Sequence, residues 1–176
     1  MKTTTWHERT TTKKGDIGER LVYNFLVGMG FIPYIIPEEF NNDVRHVIDG
    51  MWWKFEKDSL GFGYYQLYFV EVKTKPRRIW HPDTGIDTRR LWDYNDLIER
   101  YPNIKVLIIF VDSTMKMAYG NYLTELMKMS HKENNGKYTY FNLKVMKKFF
   151  NISDEDCKQI VEYSTMNEKY KLLNNE

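Results

Sequence analysis

The feature that most constrains this chain is an apolar run that ends in two opposite charges. Residues 65–70, Tyr-Gln-Leu-Tyr-Phe-Val, predict a buried strand, and Glu71-Val72-Lys73 closes it. Because side chains alternate along a strand, Glu71 and Lys73 point to one face and Val72 points to the other. A carboxylate and an ammonium at the end of a buried strand are costly unless they meet each other, a metal or a substrate. The sequence therefore predicts a functional site at this strand end.

Composition leaves the choice of partner open. At 176 residues the chain fits one domain, and a formal charge of +2 neither demands nor excludes a polyanionic partner. The single cysteine, Cys157, excludes an intramolecular disulfide and fits a reducing cytosol. The four histidines lack cysteine neighbours, which argues against structural zinc. No apolar run has the length of a membrane span and the first residues do not resemble a signal peptide, so we expect a soluble, cytoplasmic protein without a membrane partner.

Periodicity predicts a flexible basic arm at residues 1–14 and a single mixed α/β domain at residues 15–176. Asp16 and Glu19 resemble a capping box at the start of a helix of about four turns. Three strands, a helix and a strand follow, and the last of these, near residues 106–111, has the continuous apolar pattern of a central strand. We expect the core at residues 15–111 and a mainly helical extension at 112–176. Beyond an ordered loop at 80–85, short strands are predicted near 115–119 and 138–141, and helices near 122–129, 143–149 and 154–163.

The second predicted strand, at residues 45–53, carries the candidate acid Asp49. Asp49-Gly50 between alternating apolar residues is also a hairpin signal, which would pair residues 45–48 with 51–54 and leave Asp43 as the acid. We favour Asp49 because the flanking strand segments are short for a separate hairpin.

Together these residues suit the hydrolysis of a phosphodiester. That reaction needs an activated water and neutralised phosphoryl oxygens. Mg²⁺, with Mn²⁺ as the alternative, prefers carboxylate oxygens and retains waters, so Asp49, Glu71 and the backbone carbonyl of Val72 suffice to hold it. Lys73 would orient or deprotonate the water, or hold the phosphate as a point charge. Glu19 fits either a capping carboxylate or a member of the metal shell.

Basic residues follow the strand and predict contacts to a nucleic-acid backbone. They are Lys75, Arg77, Arg78, Arg89 and Arg90. For each of them the alternative is a solubilising surface, but proximity to the site favours contacts by Lys75, Arg89 and Arg90. His81 and Asp83 fit a supporting role, although turn formation explains them better.

Three segments resemble the signatures of the PD-(D/E)xK nuclease superfamily: residues 15–20, Ile48-Asp49-Gly50 and residues 70–74. Members with this layout include archaeal-type Holliday junction resolvases, restriction endonucleases and phage recombination nucleases. The resemblance covers residues 15–111. It implies a restriction-endonuclease-like fold, a four-stranded mixed sheet flanked by helices in αβββαβ order. It also implies a catalytic set of Asp49, Glu71 and Lys73, with Glu19 as an added metal-shell acid. The proline that often precedes the aspartate is here Ile48, which leaves Asp43 open.

By this resemblance the chain would be a Mg²⁺-dependent deoxyribonuclease, endonucleolytic more than exonucleolytic, and resolvase-like or restriction-like. Both kinds of cutting normally need a homodimer. The compact size and residues 84–87 resemble phage-encoded proteins. Two alternatives remain open: a non-catalytic nucleic-acid-binding module on the same fold, and an RNase or nucleotide-responsive nuclease of the same superfamily.

Overall fold

A computed structural model describes residues 10–34 and 48–173 of the chain, so Asp43 and residues 1–9 lie outside the described part. In chain order the elements are α1 (Thr10–Gly28), β1 (Phe31–Tyr34), β2 (Gly50–Lys57), β3 (Gly63–Thr74), β4 (Asp83–Asp87), α2 (Thr88–Arg100), β5 (Lys105–Asp112), β6 (Met117–Tyr122), α3 (Leu123–Leu126), a 3₁₀ turn (Met127–Met129), β7 (Ser130–Glu133), β8 (Tyr138–Asn142), a second 3₁₀ turn (Leu143–Val145), β9 (Lys147–Asn151) and α4 (Asp154–Leu173). Within these ranges no helix is long and apolar enough to cross a membrane.

The central sheet is mixed and has six strands in the order β1-β2-β3-β5-β6-β9. The strands β3 and β5 run parallel, because the chain crosses over through α2 between them, and the other neighbouring pairs are antiparallel. The prediction of a mixed α/β fold is confirmed. The expected number of four strands is wrong, since β6 and β9 from the C-terminal part add to one edge.

The prediction of a mainly helical C-terminal extension holds only in part: helices form near residues 122–129 and 154–163, but four strands lie among them. Residues 143–149, predicted as a helix, form a 3₁₀ turn followed by β9, and β7 and β8 form a second sheet with β4 in the order β4-β8-β7. Short apolar runs do not distinguish a helix from a strand by their periodicity. Here residues 147–151 form a strand because they pair with the open edge of β6.

Two hydrophobic layers sandwich the central sheet. On one face, Tyr68, Val70 and Ile109 pack under α1 and α4. On the other face, Phe69 and Ile108 pack under α2. Since β3 and β5 are covered on both faces, their sequences read as continuous apolar runs.

The helix α1 begins at Thr10 and not at Asp16. Residues 10–14, predicted as part of the flexible arm, are therefore helical, and Asp16 is not an N-cap. The capping-box signal is overridden because α1 packs on α4. The Lys13 ammonium lies 5.7 Å from the centre of the Tyr163 ring, and Arg20 pairs with Asp156 at 2.7 Å.

A glycine lets α1 approach the end of β3. A Cβ atom at Gly18 would overlap the Thr74 hydroxyl, the last residue of the strand. The helix therefore lies directly on the strand end at this point, and this contact places Glu19 beside the segment that contains Glu71 and Lys73.

The segment after β3 leaves the sheet as a loop and returns as β4. The predicted ordered loop at residues 80–85 is partly strand, because Asp83–Asp87 pairs with β8. Local sequence does not reveal this strand, since its partner lies far along the chain.

Candidate active site

The register of β2 on β3 brings Asp49 to the end of β3. The Asp49 amide donates to the Val70 carbonyl at 3.1 Å, and the Asp49 Oδ2 accepts from the Val72 amide at 2.6 Å. β2 is paired on both edges, with β1 and with β3. Residues 51–54 therefore cannot pair back on residues 45–48, and the hairpin alternative for Asp49 is wrong. The alternative acid, Asp43, lies outside the described residues.

Glu71 is the buried group of the site. Glu71 is only 3% exposed. Lys73 Nζ donates to Oε1, whereas Oε2 is buried without a hydrogen-bond partner among the described residues. Burial, followed by the nearby charge of Asp49, raises the pKa of Glu71 to about 7, and the Lys73 ammonium opposes this rise. The site therefore holds a carboxylate that loses its proton near neutral pH and has one oxygen available for a cation.

Two further carboxylates, Asp49 and Glu19, interact with this site. Desolvation raises the pKa of Asp49. The hydrogen bond from the Val72 amide and the charges of Lys73 and Arg90 lower it, but by less. Desolvation also raises the pKa of Glu19, and the charge of Asp49 adds to the rise. Both residues remain exposed at the surface, so desolvation acts on only part of each carboxylate. Negative charge thus accumulates where α1 meets β3.

The interpretation of Glu19 as a helix-capping residue is wrong. α1 starts at Thr10, and its first turn contains no acidic residue. Glu19 lies in the middle of the helix, where the macrodipole no longer favours a carboxylate. Its electrostatic coupling to Asp49 fits the alternative interpretation, a role beside the site.

A cleft of about 330 Å³ opens between α1 and the start of β2. Asp49 and Glu19 line it together with Tyr23 and Trp52. The Tyr23 and Trp52 rings meet edge to face with their centres 5.2 Å apart. Asp49 and Glu19 therefore face an open cleft with an aromatic wall, whereas Glu71 is buried and is not part of the cleft lining.

The residues of this site fit a small hard cation. Within the described ranges, no group of three or more His, Cys, Asp or Glu side chains forms a ready-made metal cluster. Asp49 and Glu71 could supply two carboxylate donors. The Val72 carbonyl could supply a third oxygen, since the amide and carbonyl of a strand residue point to the same edge and the Val72 amide points to Asp49. Mg²⁺ commonly uses one or two carboxylates and keeps several waters.

Tyr94 of α2 was missed as a site residue by the sequence analysis. Its hydroxyl is buried, and its interaction with the Glu71 carboxyl opposes the rise that burial causes in the pKa of Glu71. Burial and the Glu71 charge raise the pKa of this phenol, so it stays protonated. The available signal was the position of Tyr94 on the apolar face of α2 with Leu91 and Leu97, which predicted core packing only.

Two of the predicted basic residues, Lys75 and Arg90, interact with charged groups of the site. Lys75 Nζ donates to the Gly85 carbonyl at 2.7 Å, and burial, followed by the charges of Lys73 and Lys14, lowers the pKa of Lys75. Arg89 and Arg90 are exposed in the first turn of α2, and the charge of Arg90 reaches Asp49. This places a cationic border along one side of the site.

Arg77 and Arg78 lie further out on the loop. Arg77 is exposed, and its amide donates to the buried Asp112 at 2.8 Å. Arg78 makes two 2.6 Å bonds to Asp83 and one to Glu133, and it stacks 3.9 Å above the Tyr140 ring. The structure thus gives Arg78 and Asp83 a role in anchoring the loop, in place of the predicted nucleic-acid contact for Arg78 and the turn for Asp83. His81 is exposed on the loop, and the described residues show no contact between it and Glu71.

No protein-family model, curated protein or solved structure matches this chain. The functional assignment therefore rests on the residues and their geometry.

Proposed function

We propose that this chain is a Mg²⁺-dependent nuclease that hydrolyses DNA phosphodiester bonds on a restriction-endonuclease-like core. The observation that carries the proposal is Glu71, a buried carboxylate with one unpartnered oxygen, held between Asp49 and Lys73. Burying a carboxylate costs stability unless it is fully paired, and groups with such a perturbed pKa cluster at functional sites.

The topology supports this proposal. The order α1, β1-β2-β3, α2, β5 agrees with the αβββαβ order that the resemblance implies, and β1-β2-β3-β5 are neighbours in the sheet. In this arrangement β6 and β9 are additions at one edge, β4 is inserted between β3 and α2, and β7 and β8 lie between β6 and β9 in the chain.

Asp49, Glu71 and the Val72 carbonyl would hold the ion, with Glu19 as a further acid beside it. When bound, Mg²⁺ or Mn²⁺ would neutralise charge on the phosphoryl oxygens and lower the pKa of a water molecule. Lys73, which is half-buried and paired with Glu71, would then be free to hold a phosphate oxygen or to orient the attacking water. Tyr94, which is fully buried, interacts with the Glu71 carboxylate from the core side.

The basic border supplies the contacts to the DNA backbone. Arg89 and Arg90 lie exposed at the start of α2, and Lys75 and Arg77 lie on the segment that leaves β3. Cations in these positions would bind successive phosphates of a DNA strand that passes over the carboxylates. We propose an endonuclease in which two copies act together, because resolvase-like and restriction-like cutting of both strands normally uses one active site per strand.

Cleavage assays with matched variants test the proposal. The substrates are linear duplex, circular single-stranded and four-way-junction DNA and single-stranded RNA, each with Mg²⁺, Mn²⁺ or chelator. Lys73→Ala and Glu71→Gln should lower cleavage by about 100-fold or more. Lys105→Ala is the control, since Lys105 pairs with Glu56 at 3.1 Å at the opposite end of the same sheet.

Metal-dependent DNA cleavage that is lost in the site variants and retained in Lys105→Ala would support the proposal. DNA binding without cleavage, unchanged in every variant, would contradict it and favour the binding module. Cleavage of RNA alone would assign the site to an RNase.

A further inference from the structure

The tip of the loop after β3 carries two apolar side chains that project into solvent. Ile79 is 84% exposed and Trp80 is 89% exposed, more than any other large apolar side chain among the described residues. Leaving an indole and a branched alkyl group in water forgoes the free energy that their burial would provide. A paired exposure of this size therefore points to a partner.

The base of this loop is fixed on both sides. The Arg78 amide donates to the Asp83 carbonyl at 3.1 Å, and the Leu143 amide donates to the Pro82 carbonyl at 2.8 Å. The Arg78 guanidinium adds two 2.6 Å bonds to the Asp83 carboxylate. These contacts close the loop into a projecting tip formed by residues 79–81. Trp80 therefore lies on a loop whose base is fixed by hydrogen bonds.

The tip is close to the candidate active site in the chain. Trp80 follows Lys73 by seven residues, which limits the distance between their Cα atoms to about 25 Å. Between them the chain carries Lys75 and the exposed Arg77. A polyanion with one phosphate at Lys73 could thus place a second phosphate at Arg77, toward the tip.

We propose that Trp80 stacks on an unpaired base of the bound DNA, so that the substrate class is DNA with unpaired bases, as in gaps, branches or single strands. This inference rests on the proposed function. In a continuous duplex both faces of each base are covered by its neighbours, whereas an unpaired base offers a face to an indole. Ile79 would fill the space beside the displaced base, as apolar wedges do between base steps.

A nucleic acid suits the tip better than a protein or a membrane. Two side chains form a patch far smaller than a specific protein interface of about 800 Å² per partner. The exposed Arg77 two residues before Ile79 can meet a phosphate, and a base needs only one aromatic face. An anionic lipid surface would also attract the cationic residues, but the tip would then insert into the membrane and no unpaired base would be needed.

A fluorescent base tests this proposal without relying on cleavage. We would place 2-aminopurine in a single-nucleotide gap of a duplex and titrate the full chain in chelator. Wild type should quench the fluorescence by stacking, and Trp80→Phe should retain most of the quenching. Trp80→Ala should lose it and should bind the gapped duplex about 5- to 150-fold more weakly, with blunt duplex binding little changed.

Leu60→Ala is the control, since Leu60 is 79% exposed in the turn at the opposite end of β3. Wild-type quenching and affinity in Trp80→Ala would overturn the inference, even if DNA is cleaved. Trp80-dependent quenching without cleavage would instead leave the inference standing and contradict the nuclease. Binding of wild type, but not Trp80→Ala, to phosphatidylserine vesicles without quenching on DNA would also overturn it.

Discussion

At the scale of single residues, Glu71 is where stability and chemistry conflict. The strand that holds it is buried on both faces, so the carboxylate loses most of its hydration, and Asp49 adds a like charge. Lys73 compensates for only part of this cost, because one oxygen remains without a partner among the described residues. A cation would compensate for the rest, which makes the conflict measurable as a dependence of stability on pH and on metal.

Glu71→Gln should stabilise the protein at alkaline pH. The pKa of Glu71 lies at about 7 in the folded state against 4.5 ordinarily, so the folded state binds more protons between these values. The free energy of unfolding then falls as pH rises from about 4.5 to about 7. The upper limit of the loss is about 3 kcal/mol, at 1.36 kcal/mol per pH unit. Urea denaturation at pH 4 and pH 8 measures it.

In this experiment wild type and Glu71→Gln should be equally stable at pH 4, and the variant should be more stable at pH 8. Glu125→Gln is the control, because Glu125 forms an ordinary surface pair with Lys128 at 2.7 Å. A variant less stable than wild type at pH 8 would contradict the direction of the shift.

Mg²⁺ should raise the melting temperature of wild type by relieving the repulsion between Asp49 and Glu71. At an ion concentration 100 times the Kd, the gain is about 2.7 kcal/mol. The gain should grow from pH 6 to pH 8, as Glu71 loses its proton. It should be small in Asp49→Asn and Glu71→Gln and unchanged in Asp154→Asn, whose carboxylate pairs with Lys116 at 2.7 Å. Equal shifts in all variants would place the ion elsewhere.

At the scale of elements, the close contact of α1 with β3 positions Glu19. Gly18→Ala should push the helix away from Thr74, because the new methyl group overlaps the hydroxyl of a β-branched side chain. We expect a loss of about 1–3 kcal/mol in the free energy of unfolding and a lower cleavage rate. Denaturation and cleavage assays measure both.

Gly28→Ala provides the matched control in the same helix. A Cβ atom at Gly28 meets nothing within 4 Å. Replacing glycine with alanine there should leave the stability unchanged or raise it by up to about 1 kcal/mol. Equal effects at Gly18 and Gly28 would show that backbone entropy, and not the contact with Thr74, controls the outcome.

Elements with strong local patterns could be predicted, and those defined by distant partners could not. The apolar run of β3, the amphipathic α2 and the continuous run of β5 indicated their own structures. In contrast, β4 and β9 are strands because β8 and β6 offer them an edge, and no local pattern reports a distant edge.

The same distinction applies to the site. Asp49, Glu71 and Lys73 followed from alternation along strands and from the order of the segments. The interaction of Tyr94 with Glu71 and the ion pairs of Arg78 depend on how α2 and β7 pack. Sequence spacing therefore indicated which acids meet, while the groups that surround them required the tertiary structure.

At the scale of the whole molecule, the C-terminal part completes the core that residues 15–111 begin. β6 covers the edge of β5, and α4 packs beside α1 on one face of the sheet. The Arg20–Asp156 pair and the Lys13–Tyr163 contact join the two helices. The contact between α1 and β3, and with it the position of Glu19, thus depends on residues outside the segment that carries the family resemblance.

Two neighbouring residues of α4 test this dependence. Ile160 is 1% exposed in the layer with Val22 and Leu26 of α1, whereas Val161 is 49% exposed. Ile160→Ala should cost about 2–5 kcal/mol of unfolding free energy, because it removes buried methyl groups and leaves a cavity. Val161→Ala should change it by less than about 0.5 kcal/mol. Chemical denaturation followed by circular dichroism measures both, and a small effect of Ile160→Ala would show that α4 is not part of the core on which α1 and the site rest.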